Sequence, residues 1–210
     1  MAAADNRERA SMAGSEARYL FQLDHPDLAR VRLTFLPAAS ILVTLALATG
    51  GYAVLPVLLG LVHGLLWWSF LEYLMHRYLL HWEPKAPRWQ AVRRALPGHR
   101  SHHDDPGDPD DVVSVKHSFG IPLAVLGLAA SLATGYSLAF SLATIAGAAL
   151  GYAAYEYVHF ACHQLPVTSR IGRYVRRHHG IHHHRDETVN FGVTSPLWDY
   201  VFGTIYRPGR

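Results

Sequence analysis

Residues 33–71 read LTFLPAASILVTLALATGGYAVLPVLLGLVHGLLWWSFL, a run of 39 positions with no Asp, Glu, Lys or Arg. An α-helix rises about 1.5 Å per residue and needs about 20 residues to cross the apolar core of a bilayer. The run is therefore long enough for two crossings, and Gly50-Gly51 marks the turn between them. A second run, His117 to Tyr155, has the same length and the same freedom from charge, and Thr134-Gly135-Tyr136 divides it. Helices of a soluble domain must show water a polar face, which neither stretch can do. The expected fold is an all-α membrane protein with four transmembrane helices in two hairpins, 33–71 and 117–155. Pro37, Pro56 and Pro122 fall near helix starts or the turn, where a missing amide proton is tolerated.

Charge assigns the sides. Both turns are uncharged, while every Lys and Arg lies in the N-terminal arm, between Arg77 and Lys116, or in the C-terminal tail. By the positive-inside rule these three segments are cytoplasmic, giving an integral, multi-pass protein with both termini and a histidine-rich helical cap on that side. The expected organisation is an N-terminal cytosolic arm, 1–32, and one membrane-embedded catalytic domain, 33–210, whose segments 72–116 and 156–210 form the cap. The net charge of +3 is then a topology signal, and no nucleic-acid partner is expected. Arg7, Glu8, Arg9, Glu16 and Arg18 leave the first 20 residues without the apolar core of a secretory signal. Cys162 is the sole cysteine, so any metal must be held by nitrogen and oxygen. Trp67, Trp68, Tyr73, Tyr78, Tyr152, Tyr155 and Tyr157 crowd the cytoplasmic helix ends and read as an interfacial belt.

The chemistry lies in the histidines. The stretch RRHHGIHHHRD, Arg176 to Asp186, is the densest part of a chain with 15 of them. Ten form four boxes: His76 and His81; His99, His102 and His103; His159 and His163; His179, His182 and His183. On a helix the i, i+3, i+4 spacing of the triplets puts the second and third imidazoles within about 60° of the first, so each triplet is expected to converge on one point. His159 and His163 are about 40° apart and can share an ion; His76 and His81 are about 140° apart and need the helix to unwind near Leu79, or else serve different metals. Ten imidazoles exceed one ion's capacity, and two nitrogen-rich ions with open positions suit iron, with zinc a possible recovered metal. Glu72 and Glu156 lie one turn before the first histidine of each half, where a carboxylate can take the outer imidazole N–H. His178 and His184 flank the last box, spare or supporting. His25 and His117 read as solvated or interfacial, and His63 lies too deep for the cluster. Asp104, Asp105, Asp108, Asp110 and Asp111 read as a solvated loop, and Arg173, Arg176 and Arg177 as facing lipid headgroups or an electron donor. The order of hairpin, Glu-Tyr, histidine pair and His-x-x-His-His occurs twice, which points to a duplicated unit with metals between the halves.

HRYLLH (76–81), HRSHH (99–103), HFACH (159–163), HGIHH (179–183) and the closing FGVTSPLWDYVFGT (191–204) together resemble the fatty acid hydroxylase and sterol desaturase superfamily. The closing stretch is most similar to the fatty acid 2-hydroxylase branch. The resemblance implies a four-helix membrane enzyme with a cytosolic di-metal centre, iron in action, ligated by the ten box histidines. Such an enzyme uses molecular oxygen and two electrons to attack an unactivated C–H bond. Some relatives carry a fused haem domain with a His-Pro-Gly-Gly motif; His25-Pro26-Asp27 is not one, so a separate electron-donor protein is expected. Gln164 stands where several relatives have a further histidine. The expected reaction is hydroxylation of a long acyl chain near its carboxyl end, in a fatty acid or amide-linked lipid, with a carotenoid or sterol as the alternative substrate. A metal transporter would need ionisable residues through its helices, where only His63 lies, and a structural metal site would be closed.

Overall fold

The computed structural model describes residues 25–95, 99–112 and 117–209. Among them the secondary structure is helical throughout. Helix α1, Pro26–Thr49, begins where the sequence supplies a start signal: Pro at its first turn, Asp27 behind it, and His25, whose ring accepts the Asp27 amide. It starts seven residues ahead of the uncharged run. Gly50 ends it, and Gly51 and Tyr52 turn the chain with left-handed φ values of 61° and 62°. Helix α2, Val54–Leu74, continues into a π-helical segment, Met75–Leu80. Short helices α3, Pro87–Ala95, and α4, Arg100–Asp104, follow, then a 3-10 turn at Pro109–Asp111. Helix α5, His117–Ala133, and helix α6, Leu138–Gln164, form the second hairpin around Gly135, whose φ is 85°. Helix α7, Arg170–His184, is capped by the Ser169 hydroxyl, and the short α8, Leu197–Val201, completes the chain.

Among the described residues, three helical stretches are long and apolar enough to cross a membrane: Pro26–Thr49, Val54–Leu80 and Leu138–Gln164. The fourth expected span is shorter: α5 has 17 residues, with Pro122 inside it. Both of the longer outgoing helices run past the uncharged stretches and carry the first histidine pair of each half on their extensions.

Helix α6 is the centre of the packing, in contact with α1, α2 and α5. It runs beside α2 at a distance that only glycine allows. A Cβ on Gly64 would lie 2.0 Å from the Thr144 carbonyl oxygen, and one on Gly147 would lie 2.2 Å from that of Leu61. Gly60, Gly64, Gly147 and Gly151 thus form a small-residue seam of the kind that brings helices together in lipid, where apolar side chains alone give no reason to associate. The seam continues toward the histidines as an aromatic core. Phe35 meets Tyr152 at 4.5 Å, Trp68 meets Tyr152 at 5.1 Å, and Tyr155 stacks on His159 at 5.5 Å between centroids. The belt expected from the sequence is therefore divided. Trp67 and Tyr78 are exposed, whereas Trp68, Tyr73, Tyr152 and Tyr155 are buried and support the site.

Candidate metal centre

Local geometry decides which histidines can act together. His159 and His163 are i, i+4 on α6, His179 and His183 are i, i+4 on α7, and His99, which caps α4, stands in the same relation to His103. His76 and His81, five apart, are brought together by the π-helical segment, whose i to i+5 bonding widens the turn; their ring centroids lie 5.2 Å apart. The unwinding that the spacing demanded is thus present.

The ten rings gather into two groups of five: His76, His81, His99, His103 and His182, and His102, His159, His163, His179 and His183. Within each group the candidate ligand nitrogens lie within 4.8 Å of one another. This corrects the expectation that each triplet converges on one point. The i, i+4 pair of a triplet enters one group and its remaining member enters the other, because adjacent residues on a helix diverge by about 100°. Each half of the chain therefore supplies four histidines to one group and a single histidine, His102 or His182, to the other. The groups adjoin, with His103 stacked on His183 at 4.1 Å.

The residues fit metal ions by their own hydrogen bonding. Nδ1 of His76, His159 and His182 donates to the backbone carbonyls of Phe191, Val112 and Val189 at 2.5, 3.0 and 2.8 Å. Those bonds leave each Nε2 with its lone pair directed into the group. Nε2 atoms of His102, His103, His159 and His183 are buried without a hydrogen-bond partner. The Nε2 pairs His76–His99, His81–His182 and His163–His179 stand 3.0, 3.0 and 2.9 Å apart. Two nitrogens at about 2.0–2.1 Å from one ion, roughly at right angles, have that spacing. Burial also keeps the imidazoles neutral, as ligation requires. Desolvation, with help from neighbouring imidazoles, holds His102 at about 4 and His103 at about 3, and desolvation holds His182 at about 4. It pushes His99, His179 and His183 well below the ordinary imidazole value, and lowers His81 too.

The carbonyl that orients His76 is itself held by two buried carboxylates. Glu72 accepts the amides of Val193 and Thr194 at 2.7 and 2.8 Å and the Thr194 hydroxyl at 2.5 Å. Asp199 accepts the Phe191 and Gly192 amides at 2.8 and 2.9 Å, the Thr204 hydroxyl at 2.8 Å, and Nε2 of His178 at 3.0 Å. Glu72 thus supports His76 through a loop rather than by taking its N–H. Glu156 lies fully buried, one turn beyond the buried Tyr152 on α6. His178 is turned away from both groups toward Asp199, and His184 is exposed at the end of α7. Gln164 donates to the Gly107 carbonyl at 2.9 Å. Arg176 and Arg173 donate to the carbonyls of Leu165 and Thr168 in the α6–α7 connection. His25 lies against Phe160 at 5.6 Å, and the side chain of His117 falls outside the described residues. Asp199, which the sequence reading passed over, sits inside the closing stretch that reading did single out.

Among the described residues, two cavities lie near the site. A polar cleft of about 230 Å³ is lined by Glu83, Arg100, Glu187, His81, His99 and His103, and so opens on the first group. An apolar cavity of about 570 Å³ lies between α2, α5 and α6, from Met75, Leu71, Trp68 and Tyr152 at the histidine end to His63 at the other.

The model of the family described as fatty acid hydroxylase matches residues 61–204. The chain is 32% identical over 144 residues to the dihydroceramide fatty acyl 2-hydroxylase FAH1 of Arabidopsis thaliana, covering 69% of this chain and 59% of that one. It is 29% identical over 139 residues to the fatty acid 2-hydroxylase of Homo sapiens, covering 66% and 37%. Among solved structures it is similar to full-length scs7p, in which only the hydroxylase domain is visible, with a TM-score of 0.73 and 30% identity over 86% of this chain and 67% of that one. The chain spans between 37% and 59% of the length of the curated relatives it matches.

Proposed function

From the premise that this chain belongs to the fatty acid hydroxylase family, we propose that it hydroxylates a long acyl chain at carbon 2, in a free fatty acid or an amide-linked lipid. The observation that carries the reading is the apolar cavity that runs up to Met75, the residue before His76 of the first five-histidine group. Carbon 2 is favoured because the polar end of an acyl lipid rests at the membrane interface, where the outgoing helices bring the histidines, while methyl-end carbons lie deep. The overall change is R–H + O2 + 2 electrons + 2 protons to R–OH + H2O, with the electrons from a separate donor protein.

Two ions, iron in the working enzyme, would be held by the ten box histidines and would supply oxygen activation when bound. The rest falls to the chain's own residues. Trp68, Leu71, Met75 and Tyr152 present an apolar wall at the histidine end of the cavity, which orients the acyl chain and excludes water from its reacting carbon. Glu83, Glu187 and Arg100 line the polar cleft, which gives protons a wet approach to the first group. Phe191, Val112 and Val189 hold three imidazoles in the ligating tautomer through their carbonyls. In the membrane we read α5 as the fourth span, with both termini and the histidine-bearing cap on the cytoplasmic side, since the Lys and Arg gather there.

Mass spectrometry of lipids from cells expressing the protein tests the reading. Acyl chains should gain one oxygen, in an oxygen-dependent manner, and the gain should vanish in His182→Ala. Unchanged acyl chains beside a carotenoid or sterol that gains the oxygen would overturn the substrate.

A further inference from the structure

The far end of the apolar cavity is built as a floor. Trp67 donates its indole N–H to His63 Nε2 at 2.9 Å, which leaves the proton of a neutral ring on Nδ1, 3.3 Å from Thr144 Oγ1. The Thr144 hydroxyl in turn donates to the Phe140 carbonyl at 2.9 Å. His63 is thus satisfied locally. What the floor offers is ring surface: Tyr136, Phe140 and Trp67 lie 5.9, 5.3 and 6.2 Å from the His63 ring. Elsewhere the walls are apolar except at Ser131 and Thr134, and are kept thin by small residues, Gly127, Ala130, Ala148 and Ala149. From His63 to Met75, which precedes the first metal-group histidine, the helix climbs about 18 Å.

We propose that this cavity is a ruler for acyl chains. The chain lies with its methyl end on the floor made by His63, Trp67 and Tyr136, and the distance from floor to histidines sets which chain length brings its polar end to the reacting position. The inference rests on the hydroxylase reading above and adds the residues that select among its substrates.

Two variants should move the preference in opposite directions. Trp67→Ala opens the floor and should favour longer chains. Gly127→Leu fills the middle of the cavity, where even a Cβ would stand 3.3 Å from Ile145 Cδ1, and should favour shorter ones. A methylene in an apolar pocket is worth roughly ten-fold in selectivity or more, so the ratio of long to short product should shift by about that factor in each variant. The protein would be offered fatty acids of graded length in phospholipid nanodiscs, with product ratios and thermal stabilisation by each acid both recorded. Opposite shifts in both readouts support the ruler. Retained turnover with an unmoved length profile in Trp67→Ala and in Gly127→Leu overturns it. Stabilisation that follows the variants without any hydroxylated product would uphold the ruler and sink the hydroxylase reading.

Discussion

Replacing Glu72 by Ala removes the acceptor that holds the loop over His76. Three donors then lose their partner: the Val193 and Thr194 amides and the Thr194 hydroxyl. The hydroxyl can turn elsewhere, but the Val193 residue is 1% exposed and its amide has no route to water. A buried donor left unmade costs about 1–3 kcal/mol, so the two amides together predict a loss of about 2–6 kcal/mol. For a chain of this size that corresponds to a fall in Tm of roughly 5–20 °C. Glu72→Gln keeps one oxygen for both amides and turns its NH2 toward a hydroxyl that can accept, so its loss should stay below about 1.5 kcal/mol. Thermal unfolding of the solubilised protein should rank wild type above Gln and Gln above Ala. The Ala variant should also hold metal about 10–100-fold less tightly, because the Phe191 carbonyl no longer fixes His76. A Glu72→Ala protein that melts with wild type, or a Gln variant as damaged as the Ala one, would refute the acceptor argument.

Metal analysis should find about two ions per chain, about one in His182→Ala, and two still in His184→Ala; a full complement in His182→Ala would show that the groups are misdrawn. Metal retention and stability should be level above about pH 6.5, the ordinary imidazole value. Both should decline as the pH falls through the window toward the depressed values of about 4 for His182 and about 3 for His103. The sign follows because the unfolded chain binds those protons first. Dialysis at stepped pH measures it, and full metal content at pH 4 would contradict it. Cysteines placed at Gly51 and Gly135 should be labelled from outside intact cells, whereas labelling of Arg88→Cys there would reverse the topology.

The four boxes and the apolar helices of the two uncharged runs were legible because their signals are local: absence of charge over a fixed length, and imidazoles at helical spacings. The awkward spacing of His76 and His81 narrowed the choice to a local change of helix or two different metals, and the structure takes the first. The 100° between adjacent residues separates the last two members of each triplet, but which group each joins was not legible. Whether His102 or His103 turns to a given ion depends on where α4 is carried against α7, and neither spacing contains that. The role of Glu72 was hidden for the same reason, as its partners lie about 120 residues downstream. Trp68 and Tyr152 looked interfacial because aromatic residues serve a membrane boundary and a buried core equally well. Trp68 is buried because Gly151 on the facing helix leaves room for it, and Tyr152 because Phe35 and Trp68 cover it.

The exchange of one histidine between the halves has a consequence for how the molecule is made. The first group has four of its members by His103 and then waits for His182; the second has His102 early and must wait for His183. Neither set of five exists until the ribosome has passed the last box. A nascent chain can therefore finish its membrane helices with both sets incomplete, and ions bound there would fasten the two halves to each other.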